Sequence, residues 1–406
     1  MPLTPSEQLT YDLCRRSFLS LWSYANPQQP NGKELADVMV VFGRHITVFS
    51  VKEIAFKEHG DPAVAAARWV RRAIDASIDQ LRGARRVLDS MEHVIKSDGS
   101  LGIPLPPRSE RVVHLMAVAA GGKREVPFGG GDHQGDYVHV VDEFALREIF
   151  SELDTAPDLI DYLVAKEAHE GVILSEGEEN LFALYLHDGR SLPSVQGLAV
   201  QGGLWEHVKA EPEFKARKQA DAVSYWWDEQ IERLIADHGI STEAPPDPNE
   251  FELVVRTMAS ERRFERRLLS EAFIGWVLTK QRGGRMLFSD GTKTAHSFAT
   301  FPPQTDRDTR RGELLAHCFV ARSPRGPLAQ AGCDVEKAIG LGTEVYNPSG
   351  YSIDVVYFER PTWTEEDDRW TEQGRSLFGI HQELAMGHAT VLEFPRTTDV
   401  DADKKL

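Results

Sequence analysis

Asp37, Ser50 and Lys52 are the residues whose types and spacing point most directly to chemistry. Asp37 falls in the apolar run Leu35–Phe42 (LADVMVVF), and Ser50 and Lys52 close the run Ile46–Val51 (ITVFSV). Residues two apart in a strand share a face, so Ser50 and Lys52 point the same way. If the two runs form a tight hairpin, the start of the first lies beside the end of the second, and Asp37 meets Ser50 and Lys52. A carboxylate and an ammonium at the end of a buried hairpin each need a partner or a metal. In a functional site Asp37 would hold Mg²⁺, a hard cation that favours oxygen ligands. Lys52 would then orient an attacking water and neutralise charge developing on a phosphate. The plain alternative is an ordinary ion pair between Asp37 and Lys52.

The elements around these residues follow from composition and period. Residues 5–22 read as a helix capped by Thr4 or Ser6, with apolar residues at Leu9, Leu13, Phe18, Leu21 and Trp22. Pro27, Pro30, Asn31 and Gly32 mark a turn. Gly43-Arg44-His45 separates the two β-branched runs as a hairpin connection, and apolar residues on both faces predict a sheet covered on both sides. Asp61 and Pro62 open a long Ala-rich helix to about Met91, and Arg111–Ala120 reads as a further buried strand. Residues 121–136 are glycine-rich and predict a mobile loop. Tyr137–Val141 is a strand, and helices are expected near Glu143–Glu152 and Pro157–Glu170. Leu181–Leu186 (LFALYL) reads as a strand, 213–239 and 249–281 as helices broken at Pro245, Pro246 and Pro248. Glu313–Ala321, Lys337–Gly342 and Tyr351–Phe358 read as strands.

The first part of this pattern resembles the PD-(D/E)XK, or restriction-endonuclease-like, nuclease superfamily. The resemblance rests on Glu34-Leu-Ala-Asp37 and Ser50-Val-Lys52 and covers about 120 of the 406 residues. It implies an α/β domain with an α-β-β-β-α-β core, a short peripheral strand near Ser20–Tyr24 or Gln28–Gly32, and a metal-binding Asp37. It also implies an acid-X-Lys triplet on the next strand, and here Ser50 stands where the acid is expected. Serine brings no charge, so Glu34, three residues before Asp37, or Glu7 on the first helix would have to complete the metal site. Strand alternation places Glu34 on the face opposite Asp37 unless a bulge or strand end intervenes. Gln80 corresponds to a helical glutamine that lies near the active site in several branches of the superfamily. The implied activity is Mg²⁺- or Mn²⁺-dependent phosphodiester hydrolysis of nucleic acid, DNA more readily than RNA. A restriction or anti-phage defence effector is the expected setting. The competing expectation is a catalytically inactive nuclease fold, with Ser50 as the mark of the lost site, that binds nucleic acid or protein.

Other candidates are weaker. Arg68, Arg72, Asp75, Asp79, Arg82 and Arg86 follow helical steps of three and four, so they predict one stripe. Its arginines could face phosphate, or the stripe could be a solvated, ion-paired surface. Asp132, His133 and Asp136 lie in a glycine-rich segment that reads as a connector, without the spacing of a known metal or phosphate loop. Gly340-Leu-Gly342 lacks the third glycine of a dinucleotide fingerprint. His114 lies in an apolar strand and reads as a satisfied core histidine. Glu261-Arg-Arg-Phe-Glu-Arg-Arg267 could touch nucleic acid, but its alternating signs read as a salt-bridged helix surface.

Composition sets the outer bounds. At 406 residues the chain holds two or three domains. The expected layout is the nuclease-like domain at 1–125, an α/β extension at 126–210, a helical then strand-rich region at 211–395 and a disordered tail at 396–406, the C-terminal part being mixed α+β. The three cysteines, Cys14, Cys318 and Cys333, are too few and scattered for a disulfide framework, which points to a reducing cytoplasmic compartment. The N-terminal sequence does not read as a signal peptide and no apolar run reaches about 18 residues, so no membrane partner is expected. Net charge is −17, yet residues 1–125 hold 17 Lys/Arg and 14 Asp/Glu, while the remainder holds 29 and 49. The nuclease-like segment is thus the part least hostile to a phosphate backbone. The acidic remainder suits a protein partner, and a homo-oligomer is expected on general grounds.

Overall fold

The computed structural model describes residues 3–58, 60–126, 129–169, 171–193, 197–238, 247–279, 283–344, 353–380 and 393. The chain is mixed α/β and divides into two compact units, residues 1–215 and 216–406.

In the first unit, α1 (Pro5–Trp22) begins at a capping box in which Thr4 and Glu7 satisfy each other's exposed backbone donors. Three antiparallel strands follow: β1 (Ser23–Ala25), β2 (Val38–Phe42) and β3 (His45–Glu53). Phe42 pairs with His45, so the hairpin turns on Gly43-Arg44, and Gly43 takes a φ of 57° that glycine adopts without steric cost. The peripheral strand is Ser23–Ala25, at the end of the first of the two stretches expected for it. The long helix is not one helix. It comprises α2 (Pro62–Val70), a π turn at Arg71–Asp75 and α3 (Ala76–Leu88). The wider π turn changes the phase between its two flanks, so the arginine stripe expected from uniform helical steps is interrupted there. A small hairpin, β4 (His93–Ile95) with β5 (Leu101–Pro104), precedes β6 (Val112–Ala120). β6 runs parallel to β3, and β8 (Asp136–Val141) runs parallel to β6. β7 (Gly131–His133) is a short strand within the expected loop, paired antiparallel to β8. The six-stranded sheet is ordered β1-β2-β3-β6-β8-β7, and therefore continues past residue 125.

One face of this sheet packs on the long helix, burying Met39, Val41, Ile46, Val48, Leu115 and Val138 against Trp69, Ile78 and Leu81. The other carries α1 and α4 (Glu143–Glu152), with Trp22 edge-on to Phe42 and Phe49 against Phe150. The expected two-sided burial is thus present. The unit continues through α5 (Ala156–Glu167), β9 (Ile173–Leu174), α6 (Glu179–His187), β10 (Ala199–Val200) and α7 (Leu204–Ala210), with β9 and β10 forming a small parallel pair. Leu181–Leu186, expected as a strand, is the body of α6. An apolar run of six fits a buried helix as well as a buried strand, and here Glu178 and Glu179 lead into a helix that buries Leu181, Phe182 and Tyr185. α8 (Pro212–Ala220) spans the division between the units.

The second unit holds α9 (Tyr225–His238), α10 (Pro248–Ala259) and α11 (Arg263–Leu278), followed by β11 (Gly283–Ser289) and β12 (Thr294–Phe301). α12 (Arg307–Arg322) crosses to β13 (Lys337–Glu344), parallel to β12, with the short α13 (Pro327–Gln330) between them. β14 (Ile353–Glu359) and α14 (Glu365–Phe378) complete it, and the sheet is ordered β11-β12-β13-β14. Glu313–Ala321 is helical, correcting the expected strand. Its apolar run belongs to a 16-residue helix whose first turns are charged and whose start is capped by Asp306. The run 261–267 is not a surface either. Glu261, Arg263, Arg266 and Arg267 are buried, the arginines pairing with Asp221 and Asp228. The expected tail at 396–406 and the prolines 245 and 246 lie outside the described residues.

Candidate functional site

Asp37 immediately precedes β2, and its backbone N–H donates to the Phe49 carbonyl oxygen at 3.2 Å. Val38 pairs with Phe49, so Asp37 stands opposite Ser50, on the sheet face covered by the long helix. The hairpin therefore brings Asp37, Ser50 and Lys52 together. The Asp37 carboxylate accepts the Val51 backbone N–H at 2.5 Å. From α3, Gln80 turns its side-chain carbonyl oxygen toward both strand residues, accepting Ser50 Oγ–H at 3.0 Å and Lys52 Nζ–H at 2.8 Å. Ser50 is fully buried and Asp37 is 4% exposed, whereas Lys52 and Gln80 are half-buried at the edge. Gln80 is the link that ties the helix to Ser50 and Lys52.

The electrostatics draw in both further acids. Burial raises the Asp37 carboxyl to about 6, opposed by the Val51 hydrogen bond and the Lys52 ammonium, and reinforced by the negative charges of Glu7 and Glu34. Glu7 is held near by α1, whose first turn is tied to the end of β3 by the Ser6 hydroxyl donating to Glu53 at 2.8 Å. Glu34 is exposed, in a bridge between Gln28 and Glu34 that precedes β2, so it is not bound by the alternation of a strand. The oxygen donors of Asp37, Glu7 and Glu34 do not converge as tightly as three ligands of one ion. Among the described residues no group of three His, Cys, Asp or Glu around Asp37 has donor atoms within 4.8 Å of one another. Mg²⁺ keeps several waters and commonly takes only one or two carboxylates, so such an ion would not need all three acids.

The expected phosphate-facing arginines divide. Arg68, Arg72 and Arg86 are exposed on the long helix. Arg82 is not available in the same way, since it lies 3.5 Å from Asp136, which also pairs with Arg85 at 3.2 Å, and donates to Gln134. Asp132 accepts the Gly135 N–H, so its segment closes on itself as a tight connection.

The sequence did not signal a second cluster, on the opposite sheet face. Thr47 of β3 pairs with His114 of β6, and Met116 pairs with His139 of β8, so His45, His114 and His139 share a face. His114 Nδ1 lies 2.7 Å and His139 Nε2 2.9 Å from the same oxygen, Oε1 of Glu167 at the end of α5. His45 Nδ1 lies 2.9 Å from the outer nitrogen of His114. Burial would raise the Glu167 carboxyl, yet the two imidazoles outweigh it and bring it to about 2. Burial lowers His139 to about 4, and lowers His45, helped by His114 and Arg44, to about 4 as well. The Glu167 carboxylate accepts from both rings, one on each neighbouring strand. His114 is thus the satisfied core histidine the sequence indicated. Its partners, 25 and 53 residues further along, leave no local spacing to read.

No family model, no curated protein and no solved structure matches this chain. No described helix is long and apolar enough to cross a membrane.

Proposed function

We propose that the chain is a metal-dependent nuclease whose site is built from Asp37, Lys52, Ser50, Gln80 and the flanking acids Glu7 and Glu34. The observation that carries the reading is the union of Asp37 and Lys52 at one end of a buried antiparallel hairpin, with Gln80 from the following helix joining Ser50 and Lys52. The order helix, three antiparallel strands, helix and parallel strand supports the restriction-endonuclease-like core as the framework. Asp37, with Glu7 or Glu34, would hold Mg²⁺ or Mn²⁺. Such an ion, when bound, supplies Lewis-acid stabilisation to a phosphodiester undergoing in-line attack. The Val51 N–H fixes one Asp37 oxygen, and the other would serve as the ligand to an ion. Lys52, anchored by Gln80, presents a cation to charge developing on the scissile phosphate. Arg68, Arg72 and Arg86 would bind the neighbouring backbone, the substrate being DNA in the first instance.

A specific observation favours a second reading. Ser50 is fully buried and spends its hydroxyl on Gln80, so the position of the usual second acid is filled by a structural hydrogen bond. Under that reading the fold is a binding module for nucleic acid or protein. Wild-type and Lys52→Ala proteins incubated with single- and double-stranded DNA and RNA, in Mg²⁺, Mn²⁺ or EDTA, separate the two. Metal-dependent cleavage lost in Lys52→Ala is expected. Nucleic-acid binding without cleavage in any metal, together with no detectable metal binding, favours the module.

A further inference from the structure

We propose that His114, His139 and Glu167 form a binding site for a zinc-type transition-metal ion, independent of the nuclease reading and on the other face of the sheet. Donor atoms from β6, β8 and α5 lie within 4.8 Å of one another, and among the described residues no other group of three His, Cys, Asp or Glu does so. Both imidazoles aim at one oxygen of Glu167 instead of sharing the two, which gathers the three donor atoms into one compact group. Two ring nitrogens and a carboxylate oxygen are a donor set that suits Zn²⁺ and disfavours Mg²⁺, which requires oxygen throughout. The chemistry of this cluster is therefore distinct from that around Asp37.

The surroundings have the features such a site needs. His45 stands 2.9 Å from the outer nitrogen of His114. With an ion in place of the His114–Glu167 hydrogen bond, His114 would carry its hydrogen on the outer nitrogen, where His45 Nδ1 can accept it and so hold the tautomer that leaves His114 Nδ1 for the ion. The two imidazole side chains are 0% and 1% exposed, while that of Glu167 is 23% exposed. An ion thus has an entry on the carboxylate side, and three protein ligands leave a position open there. The nearby Lys166 ammonium does not stand as a bare competing cation, because Glu178 pairs with it at 2.5 Å. Bonds of about 2.0–2.1 Å in a tetrahedral shell separate donors by about 3.3 Å. The nitrogen–oxygen separations of 2.7 and 2.9 Å must therefore widen by about half an ångström. Glu167 is the last residue of its helix and can supply that shift by side-chain rotation.

The test is a titration of the full chain, stripped with EDTA and dialysed, with Zn²⁺ in competition with a chromophoric chelator. A parallel titration with Co²⁺ reads ligand type from the visible spectrum. About one equivalent of zinc per chain at submicromolar dissociation constant is expected, with a cobalt spectrum of nitrogen and oxygen ligation. His139→Gln and Glu167→Gln should each weaken binding by about 100-fold or more, and His45→Ala by about 10- to 100-fold, the range seen for outer-shell partners. Asp37→Asn should leave zinc affinity unchanged. Failure of the wild type to retain zinc against the chelator would overturn the site, whatever the variants do. Retention that His139→Gln and Glu167→Gln leave intact, or that Asp37→Asn abolishes, would equally overturn it by placing the ion elsewhere.

Discussion

At Asp37 a carboxyl that is 4% exposed and flanked by Glu7 and Glu34 is held at about 6 instead of its ordinary 3.8. The sign follows from linkage. A raised carboxyl pKa costs nothing below about pH 4, where folded and unfolded chains are both protonated. The cost grows between pH 4 and 6 and is complete above it, at about 3 kcal/mol. Asparagine keeps an oxygen for the Val51 N–H and cannot ionise. In EDTA, Asp37→Asn should therefore be more stable than wild type by up to about 3 kcal/mol at pH 8, with the gain vanishing near pH 4. It should also lose all metal-dependent cleavage. Urea unfolding at the two pH values checks this, and a variant no more stable at pH 8 than at pH 4 would remove the electrostatic account. Gln80 gives a second residue-scale prediction, since its one oxygen serves both Ser50 and Lys52. Gln80→Ala leaves a fully buried hydroxyl without its acceptor, at a cost of about 1–3 kcal/mol, and frees the Lys52 ammonium. Denaturant midpoints should fall accordingly and cleavage with them. Unchanged stability would show that water replaces the amide.

At the scale of elements, the end of β6 is locked to the end of β3 beside the candidate site. Gly121 has a φ of 83°, and a Cβ there would lie 2.8 Å from the Ile54 carbonyl oxygen. Trp69 donates to that same oxygen at 2.7 Å. Gly121→Ala must both adopt a left-handed backbone and displace a hydrogen-bonded carbonyl, so a loss of about 2 kcal/mol or more is expected. A loss below about 0.5 kcal/mol, measured by thermal or urea unfolding, would mean the joint is soft. Here the sequence was most legible. The β-branched runs at 35–42 and 46–51, the Gly43 turn and the Asp61-Pro62 helix start are local signals, and local signals place Asp37 beside Lys52. β11 and β12 were hidden, because Thr294–Phe301 is buried throughout yet includes Thr, His and Ser, which mask the apolar pattern of a core strand. The Asp290-Gly291 pair between those strands is a turn signal, but alone it does not mark the strands that flank it. The π turn leaves no trace in residue type, so the change of phase along the arginine stripe was not readable at all.

At the scale of the whole molecule, the sequence could place residues only where short-range periodicity carried them. The cluster of His114, His139 and Glu167 is assembled by two parallel strand pairings and a helix end, none of which sequence spacing encodes. Burial of Arg263, Arg266 and Arg267 likewise depends on Asp221 and Asp228, which lie on other elements. Charge is the global property the sequence does give, and it bounds how a polyanion can be held. A chain of net charge −17 cannot attract nucleic acid over its whole surface, so the binding proposed here would rest on a few cations. Lys52, Arg68, Arg72 and Arg86 are those the proposed site supplies, with Arg82 already committed to Asp136. About four phosphate contacts give a slope of about −3 to −4 in log affinity against log salt on duplex DNA. Replacing Arg68, Arg72 and Arg86 together by Gln should reduce that slope to about −1 and weaken binding uniformly across sequences. Fluorescence anisotropy over a salt series in Ca²⁺, an ion chosen to hold the complex without turnover, measures it. A slope unchanged by the triple substitution would move the phosphate contacts off the long helix and onto another surface of the chain.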